Sequence, residues 1–443
     1  MRLNYKKFFE LAKQNGFEAA DITYRSGHSL SVSIFHGEID SYTVQNTAIV
    51  NARGIINGKF GNATTEIIDK STPDFLIENI KETASYIESE DPSIIFKGSK
   101  KYHKKNFIDK SIGETPISHK IQILFEIEKK LLAYDKRINE VMSVGYAEES
   151  SESHLLNSYG LKLSNKSVSA VISCEVSAKD GEEVRTNYEI FVDLSLSNFD
   201  IDKFVKEVAE GALKKLGSVQ CKSKKYEIVL GPTAGAQLLG CYLSSADAEE
   251  VQKKSSLFID KVGKQVASKK LTVIENPLQK NIFYTYFDDE GVATYKKYLI
   301  KKGVLETYIY TLETAAKAGV EPTGNGYRAG GKASAGLGNT IVKPGKKSEE
   351  EMISKIKEGV YISELEGLHA GMNEKSGNFS LQTCGFMIRD GKIAEPLSLI
   401  TLAGNLVDVF NGIKDIANNS KLDLRTQITI PSMRVKKLAV SGK

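Results

Sequence analysis

No two of the four cysteines, Cys174, Cys221, Cys241 and Cys384, stand close enough to make a CxxC pair. That spacing excludes the usual zinc-ribbon and dithiol redox motifs and suits reduced thiols, so the cytoplasm is the expected compartment. Histidine is sparse as well. The six residues, at positions 28, 36, 103, 119, 154 and 369, include no pair at the spacing that puts two ligands on one helix face. Zinc held by this chain alone is therefore not expected. No apolar run approaches the roughly 20 residues needed to cross a bilayer, so no membrane partner is expected. The first segment, MRLNYKKFFELAKQNG, carries charges through its apolar pattern and reads as an amphipathic helix, not a signal peptide. Strong charge is missing too: the net value is +4 over 443 residues. The short basic runs Lys100–Lys105 and Lys343–Lys347 read as solvated loops, and no nucleic acid is expected.

What is present is an ordinary globular composition, 41% hydrophobic and 26% charged, in a chain long enough for two or three domains. The pattern predicts an α+β fold in three parts. Residues 1–110 form a first unit of helix, strands and helix, with Leu30, Val32 and Ile34 alternating on one strand face. Thr72-Pro73-Asp74 opens its second helix, with proline early in the first turn. Residues 111–217 repeat the plan: a helix at 116–134, four strands near 138–149, 152–163, 166–178 and 183–195, and a helix at 200–216. The alternation of Val168, Ala170, Ile172, Cys174 and Val176 makes Cys174 a core residue. After a linker the texture becomes strand- and glycine-rich, so 225–443 reads as a β-rich domain with one early helix near 233–247. Segregated helices and strands of this kind argue against a βαβ array.

Within that domain, Tyr361–Val407 carries Gly367, Gly371, Gly377, Gly385, Gly391 and Gly404 among short alternating apolar segments. Glycine at that density marks backbone that turns or approaches something closely. Candidate chemistry around it is thin. The early helix reads Gln237-Leu-Leu-Gly-Cys-Tyr-Leu-Ser-Ser245 and has no histidine. Its Cys241 would need a base to act as a nucleophile and has none nearby in sequence, so an apolar filler is the simpler reading. Gly326–Ala333 nearly matches GxxxxGK[ST], but alanine replaces the magnesium-binding hydroxyl and no strand precedes it, so a surface loop is expected. Asp288-Asp289-Glu290 cannot converge from one strand and reads as a turn. His369, between glycines, reads as a structural hydrogen-bonding residue.

Several separated motifs nevertheless resemble the TldD/PmbA family, the "modulator of DNA gyrase" proteins. They are Ala20-Asp-Ile-Thr-Tyr24, Phe35-His-Gly-Glu-Ile39, Phe287–Thr294, Gly303–Tyr308, Thr323–Arg328, Leu365–Asn378 and Ile400–Asn405. The resemblance spans nearly the whole chain. It implies a duplicated α+β N-terminal region, a β-rich C-terminal domain and a cytosolic two-subunit zinc metallopeptidase with an inner chamber. In the zinc-bearing subunit an HExxxH motif sits on the helix after the first C-terminal strand, with a cysteine ligand from near the C-terminus. Anchored on Leu238-Leu239, the motif's positions fall on Gly240, Cys241 and Ser245, none of which carries the motif's residue, and Leu406–Asn411 lacks the cysteine. The resemblance thus implies the PmbA (TldE-type) subunit, with no catalytic or metal residue of its own and zinc in an HExxxH-bearing TldD-type paralogue. Peptides are the implied substrates and Asp288, Arg328, His369 and Asn405 the chamber candidates, with a homodimer of this chain the alternative assembly in the absence of the paralogue. The alternatives are a regulatory binding protein acting on DNA gyrase and a stand-alone hydrolase with an atypical site at Cys241.

Overall fold

The computed structural model describes residues 3–328 and 331–443. They group into two compact units. One comprises Met1–Leu216, Lys280–Thr294 and Ala315–Ser334; the other comprises Gly217–Gln279, Tyr295–Thr314 and Ala335–Lys443.

The N-terminal unit is built on a single antiparallel sheet of six strands. Helix α1 (Tyr5–Gln14) is capped by Asn4, whose side chain accepts from Lys7 N–H. Strands β1 (Ala19–Phe35), β2 (Glu38–Ile56) and β3 (Lys59–Thr65) follow, then helix α2 (Thr72–Ser85). The plan repeats as helix α3 (Ile117–Tyr134), strands β4 (Ile138–Asn157), β5 (Lys162–Asp180) and β6 (Glu183–Asp193), and helix α4 (Ile201–Leu213). The sheet order is β3-β2-β1-β4-β5-β6, symmetric about the β1–β4 pair. The duplication foreseen in sequence is real, and its two halves share one sheet. Their junction is a register of fourteen residues, Asp21↔Asn157 to Ile34↔Val144.

Even-numbered residues at the two ends of β1 enter helix-covered cores. Ala20 and Ile22 enter a core with Phe8, Leu76 and Ile80, whereas Val32 and Ile34 enter a second core with Leu124, Ile172 and Val208. Three strands stand where four were expected in the repeat, because the pattern has no turn at 150–151. The real turn is Asn157–Gly160, where Asn157 Oδ1 accepts from both Tyr159 and Leu161 N–H and Gly160 takes φ +89°.

The C-terminal unit starts with strand β7 (Lys224–Leu230) and runs directly into helix α5 (Pro232–Leu243), with Pro232 in the first turn. Strands β8 (Glu358–Glu366), β9 (Asn378–Arg389) and β10 (Lys392–Asn405) precede the short helix α6 (Leu406–Asn411) and the last strand β11 (Met433–Ser441). Their pairings run β8-β7-β11-β10-β9 and return from β9 to β8, a closed ring of five strands with no free edge. A second sheet of short strands includes Val273–Glu275, Thr340–Val342 and Ile428–Ile430. The β-rich expectation holds here, and Lys280–Thr294 and Ala315–Ser334 group with the N-terminal unit.

The glycines of Tyr361–Val407 behave as their density implied. At Gly385 a Cβ would stand 1.9 Å from the Tyr361 carbonyl across the β8–β9 pair, and Gly377 has φ +74°. Of the Gly326–Ala333 loop, Gly326–Arg328 and Ala333–Ala335 form a two-stranded pair, and residues 329–330 lie outside the described residues.

Candidate functional site

Helix α5 and the turn that follows it carry positions 240, 241 and 245, and the packing around them fixes where they face. Gln237 clamps the helix to β8: its Nε2 donates to Leu365 O and its Oε1 accepts from Leu365 N–H, each at 2.9 Å. Tyr242 stacks on Phe410, centroids 4.6 Å apart, and meets Phe258 edge-on at 4.8 Å. These contacts fix the rotation of the helix. Gly240, and Ser245 in the 3₁₀ turn Ser244–Ala246 just beyond, then open onto one cavity of about 520 Å³. A Cβ on Gly240 would meet nothing closer than Thr426 Cγ2 at 3.5 Å, so the helix has room for a side chain here and carries none.

The cavity wall sets polar groups among apolar side chains such as Leu243, Ile309 and Leu337. Ser244, Ser245, Ser255, Ser256 and Thr426 bring hydroxyls, and Asp247, Glu250 and Glu374 bring carboxylates. Ser244 Oγ donates to Cys241 O at 2.8 Å and to Glu374 Oε2 at 3.3 Å. Burial holds the Asp247 carboxyl above the usual carboxylate range, although Glu249 N–H donates to it. Cys241 is half-buried against the core, and burial, with the Glu374 carboxylate nearby, pushes its thiol up to about 11. It is a packing residue with almost no thiolate at neutral pH. Iodoacetamide is therefore expected to label Cys241 at pH 8 roughly a hundred-fold more slowly than an unperturbed thiol, read by peptide mass spectrometry. Rapid labelling would contradict the packing role.

A zinc site of the HExxxH kind needs imidazole and carboxylate donors at positions 240, 241 and 245. Glycine, a protonated thiol and a serine hydroxyl do not fit zinc. Among the described residues no three His, Cys, Asp or Glu side chains converge so as to hold a metal ion.

The four chamber candidates fall in two places. Asn405 caps α6, its Oδ1 accepting from Val407 N–H, while its Nδ2 donates to Ser376 O and Asn378 Oδ1. His369 is exposed on the one-turn helix Leu368–Gly371. Asp288 and Arg328 belong to the N-terminal unit; Asp288 is buried and Arg328 half-buried. Asp288 forms the anticipated turn: Oδ1 accepts from Glu290 and Val292 N–H, and Oδ2 from Gly326 N–H. Burial, then the Glu290 charge, pushes Asp288 up to about 7 against those three donors. Arg328 Nη2 reaches Asp21 Oδ2 at 3.3 Å, and its backbone N–H donates to Asp289 Oδ2 at 2.9 Å. Asp289 also pairs with Arg25.

Three motifs far apart in sequence, around Asp21, Asp288 and Arg328, thus form one node on the odd-numbered face of β1. Sequence reasoning missed Asp21, Arg53 and the cavity carboxylates. For Asp21 a signal existed, an acid in the odd frame of a strand otherwise starting Ala-Ala-x-Ile. For Asp247, Glu250 and Glu374 no spacing pointed to a shared cavity.

Residues 223–442 match the PmbA/TldA metallopeptidase C-terminal domain, and residues 110–216 match the central domain of the same proteins. The chain belongs to the PmbA/TldD family. It is 26% identical to metalloprotease PmbA of Escherichia coli O157:H7 over 325 residues, covering 73% of this chain and 70% of that one. A Thermotoga maritima MSB8 structure described as a modulator of a DNA gyrase superposes with TM-score 0.88 at 29% identity, over 98% of this chain and 99% of its own. TldE from Thermococcus kodakarensis gives TM-score 0.90 at 22% identity over 99% of each chain, a likeness of fold. The mixed fold with a β-rich C-terminal unit is that of the PmbA/TldD proteins. Among the described residues no helix is long and apolar enough to cross a membrane.

Proposed function

We propose that this chain is the non-catalytic subunit of a cytosolic zinc metallopeptidase complex that processes small or unfolded peptides. Its catalytic partner would be an HExxxH-bearing paralogue of the same fold. The observation that carries this reading is local. Gly240 and Ser245 face one cavity from a helix and the turn that ends it, and positions 240, 241 and 245 supply neither imidazole nor carboxylate. With nothing there to ionise a bound water at neutral pH, the chain's part is to shape a wall. The serine and threonine hydroxyls can give and take hydrogen bonds along a peptide backbone, and Glu374 and Lys375 can fix its orientation.

The test is purification of the chain alone and together with an HExxxH paralogue from the same genome, followed by metal analysis and peptide cleavage. The chain alone should carry no stoichiometric zinc and cleave nothing, whereas the pair should copurify and cleave. Stoichiometric zinc with peptidase activity in the isolated chain would refute the proposal.

A further inference from the structure

Three carboxylates line the cavity under Gly240. Asp247 caps the short helix Ala248–Gln252, Glu250 lies in its first turn, and Glu374 comes from the turn that leads into β9. Among the described residues none of the three forms an ion pair. Their neighbour Glu249, which does not line the cavity, pairs with Lys253 at 2.8 Å. Lys375 also lines the cavity, but it is exposed and in no ion pair with them. Burial, then the charges of Glu249 and Glu250, hold Asp247 above its ordinary range, as befits a carboxyl with no cation paired to it.

The carboxylates are held where they stand, with acceptor capacity to spare. Ser255 Oγ donates to Glu250 Oε2 at 2.5 Å and Ser244 Oγ to Glu374 Oε2 at 3.3 Å, one oxygen of each carboxylate. A different kind of group points to a ligand as well. Ser245 is 4% exposed and lines the cavity, and its Oγ has no partner among the described residues. A hydroxyl so placed is satisfied when a bound donor reaches it.

The shape of the cation follows from the spacing. The carboxylates do not converge so as to hold a metal ion. They stand around a space of about 520 Å³ walled in part by Leu243, Ile309 and Leu337. Apolar walls with charge at separate points suit a side chain that has a methylene stem and a cationic head.

We propose that this cavity takes a lysine or arginine side chain of a bound peptide, its stem against Leu243, Ile309 and Leu337. The head lies among Asp247, Glu250, Glu374 and Ser245 Oγ. The chain thereby prefers basic peptides to neutral or acidic ones, since an acidic side chain would meet like charge. Peptides as the source of the cation rest on the function proposed above, whereas the charge preference comes from the cavity alone.

Isothermal calorimetry on the full chain tests this with the pentapeptide Ala-Ala-Lys-Ala-Ala, acetylated and amidated so that lysine is its one charge. Norleucine in place of lysine keeps the stem and removes the charge, and should weaken binding about ten-fold or more. The Glu250→Gln/Glu374→Gln variant should bind the lysine peptide about as weakly and no longer tell it from the norleucine peptide. Equal affinity for the two peptides overturns the proposal, as does no binding at millimolar peptide or a preference that survives the double variant. Cadaverine binding more tightly than the lysine peptide would assign the cavity to free amines and overturn the peptide source. The two peptides compared on the unaltered chain decide the matter even if the double variant misfolds. None of these readings needs zinc or cleavage, so their failure leaves copurification and cleavage with the paralogue as a separate result.

Discussion

Replacing Asp21 with asparagine is expected to lower the stability of the N-terminal unit by about 3–5 kcal/mol, the usual cost of stranding a buried charge. Asp21 is 2% exposed and sits directly opposite Arg53 in the β1–β2 register. Arg53 Nη2 donates to its Oδ2 at 2.6 Å and Arg53 Nε to both oxygens at 3.2 Å, with Arg328 Nη2 completing the set. Burial alone would raise this carboxyl, but the two guanidinium groups more than offset it and hold it below its ordinary range. The sign of the pH effect follows. A depressed native value means the contribution is fully present above the ordinary carboxylate range and is lost as pH falls through the native value. Urea unfolding at pH 7 and at pH 3 measures both effects. The variant should differ strongly from wild type at pH 7 and less at pH 3. Adding Arg328→Met should recover part of the loss, because fewer cations are then left uncompensated. A pH 7 change within about 0.5 kcal/mol, the range of an ordinary surface substitution, would show that this node does not hold the sheet face.

Phe410→Ala is expected to cost about 3–5 kcal/mol in the C-terminal unit, the range seen for a large core aromatic cut to alanine. Phe410 is fully buried on α6, and its ring is the platform on which Tyr242 of α5 stacks. Removing it leaves a hole beneath the helix that presents Gly240 and Ser245, so peptide binding by the assembled complex should weaken as well. Leu399→Ala is the matched control: Leu399 is 70% exposed and should change stability by less than about 0.5 kcal/mol. Thermal unfolding of the two variants side by side decides the point, and equal effects would mean the aromatic stack is not what supports α5.

Much of the local structure was legible because it is encoded locally. The even-frame residues Leu30, Val32 and Ile34 announced one strand face, Pro73 and Pro232 marked helix starts, and the glycines from Gly367 to Gly404 marked turns and close approaches. Strand β4 was divided wrongly because alternation across Glu149–Glu152 does not say whether a chain turns. Only the Asx geometry at Asn157 placed the turn.

The sequence by itself determined the duplicated helix–strands–helix plan, the β-rich C-terminal unit, the family and the empty donor positions at 240, 241 and 245. Those are properties of residue type and short spacing. Tertiary structure alone decided that Asp288 and Arg328 are committed to the node around Asp21. It alone placed Glu374 beside Ser244, and it alone set Asp247, Glu250 and Glu374 around one cavity. The reason is physical: periodicity tells which face of an element is buried, but not which distant segment buries it. Asp21 and Arg328 meet across some three hundred residues of chain, and no local pattern records that closure.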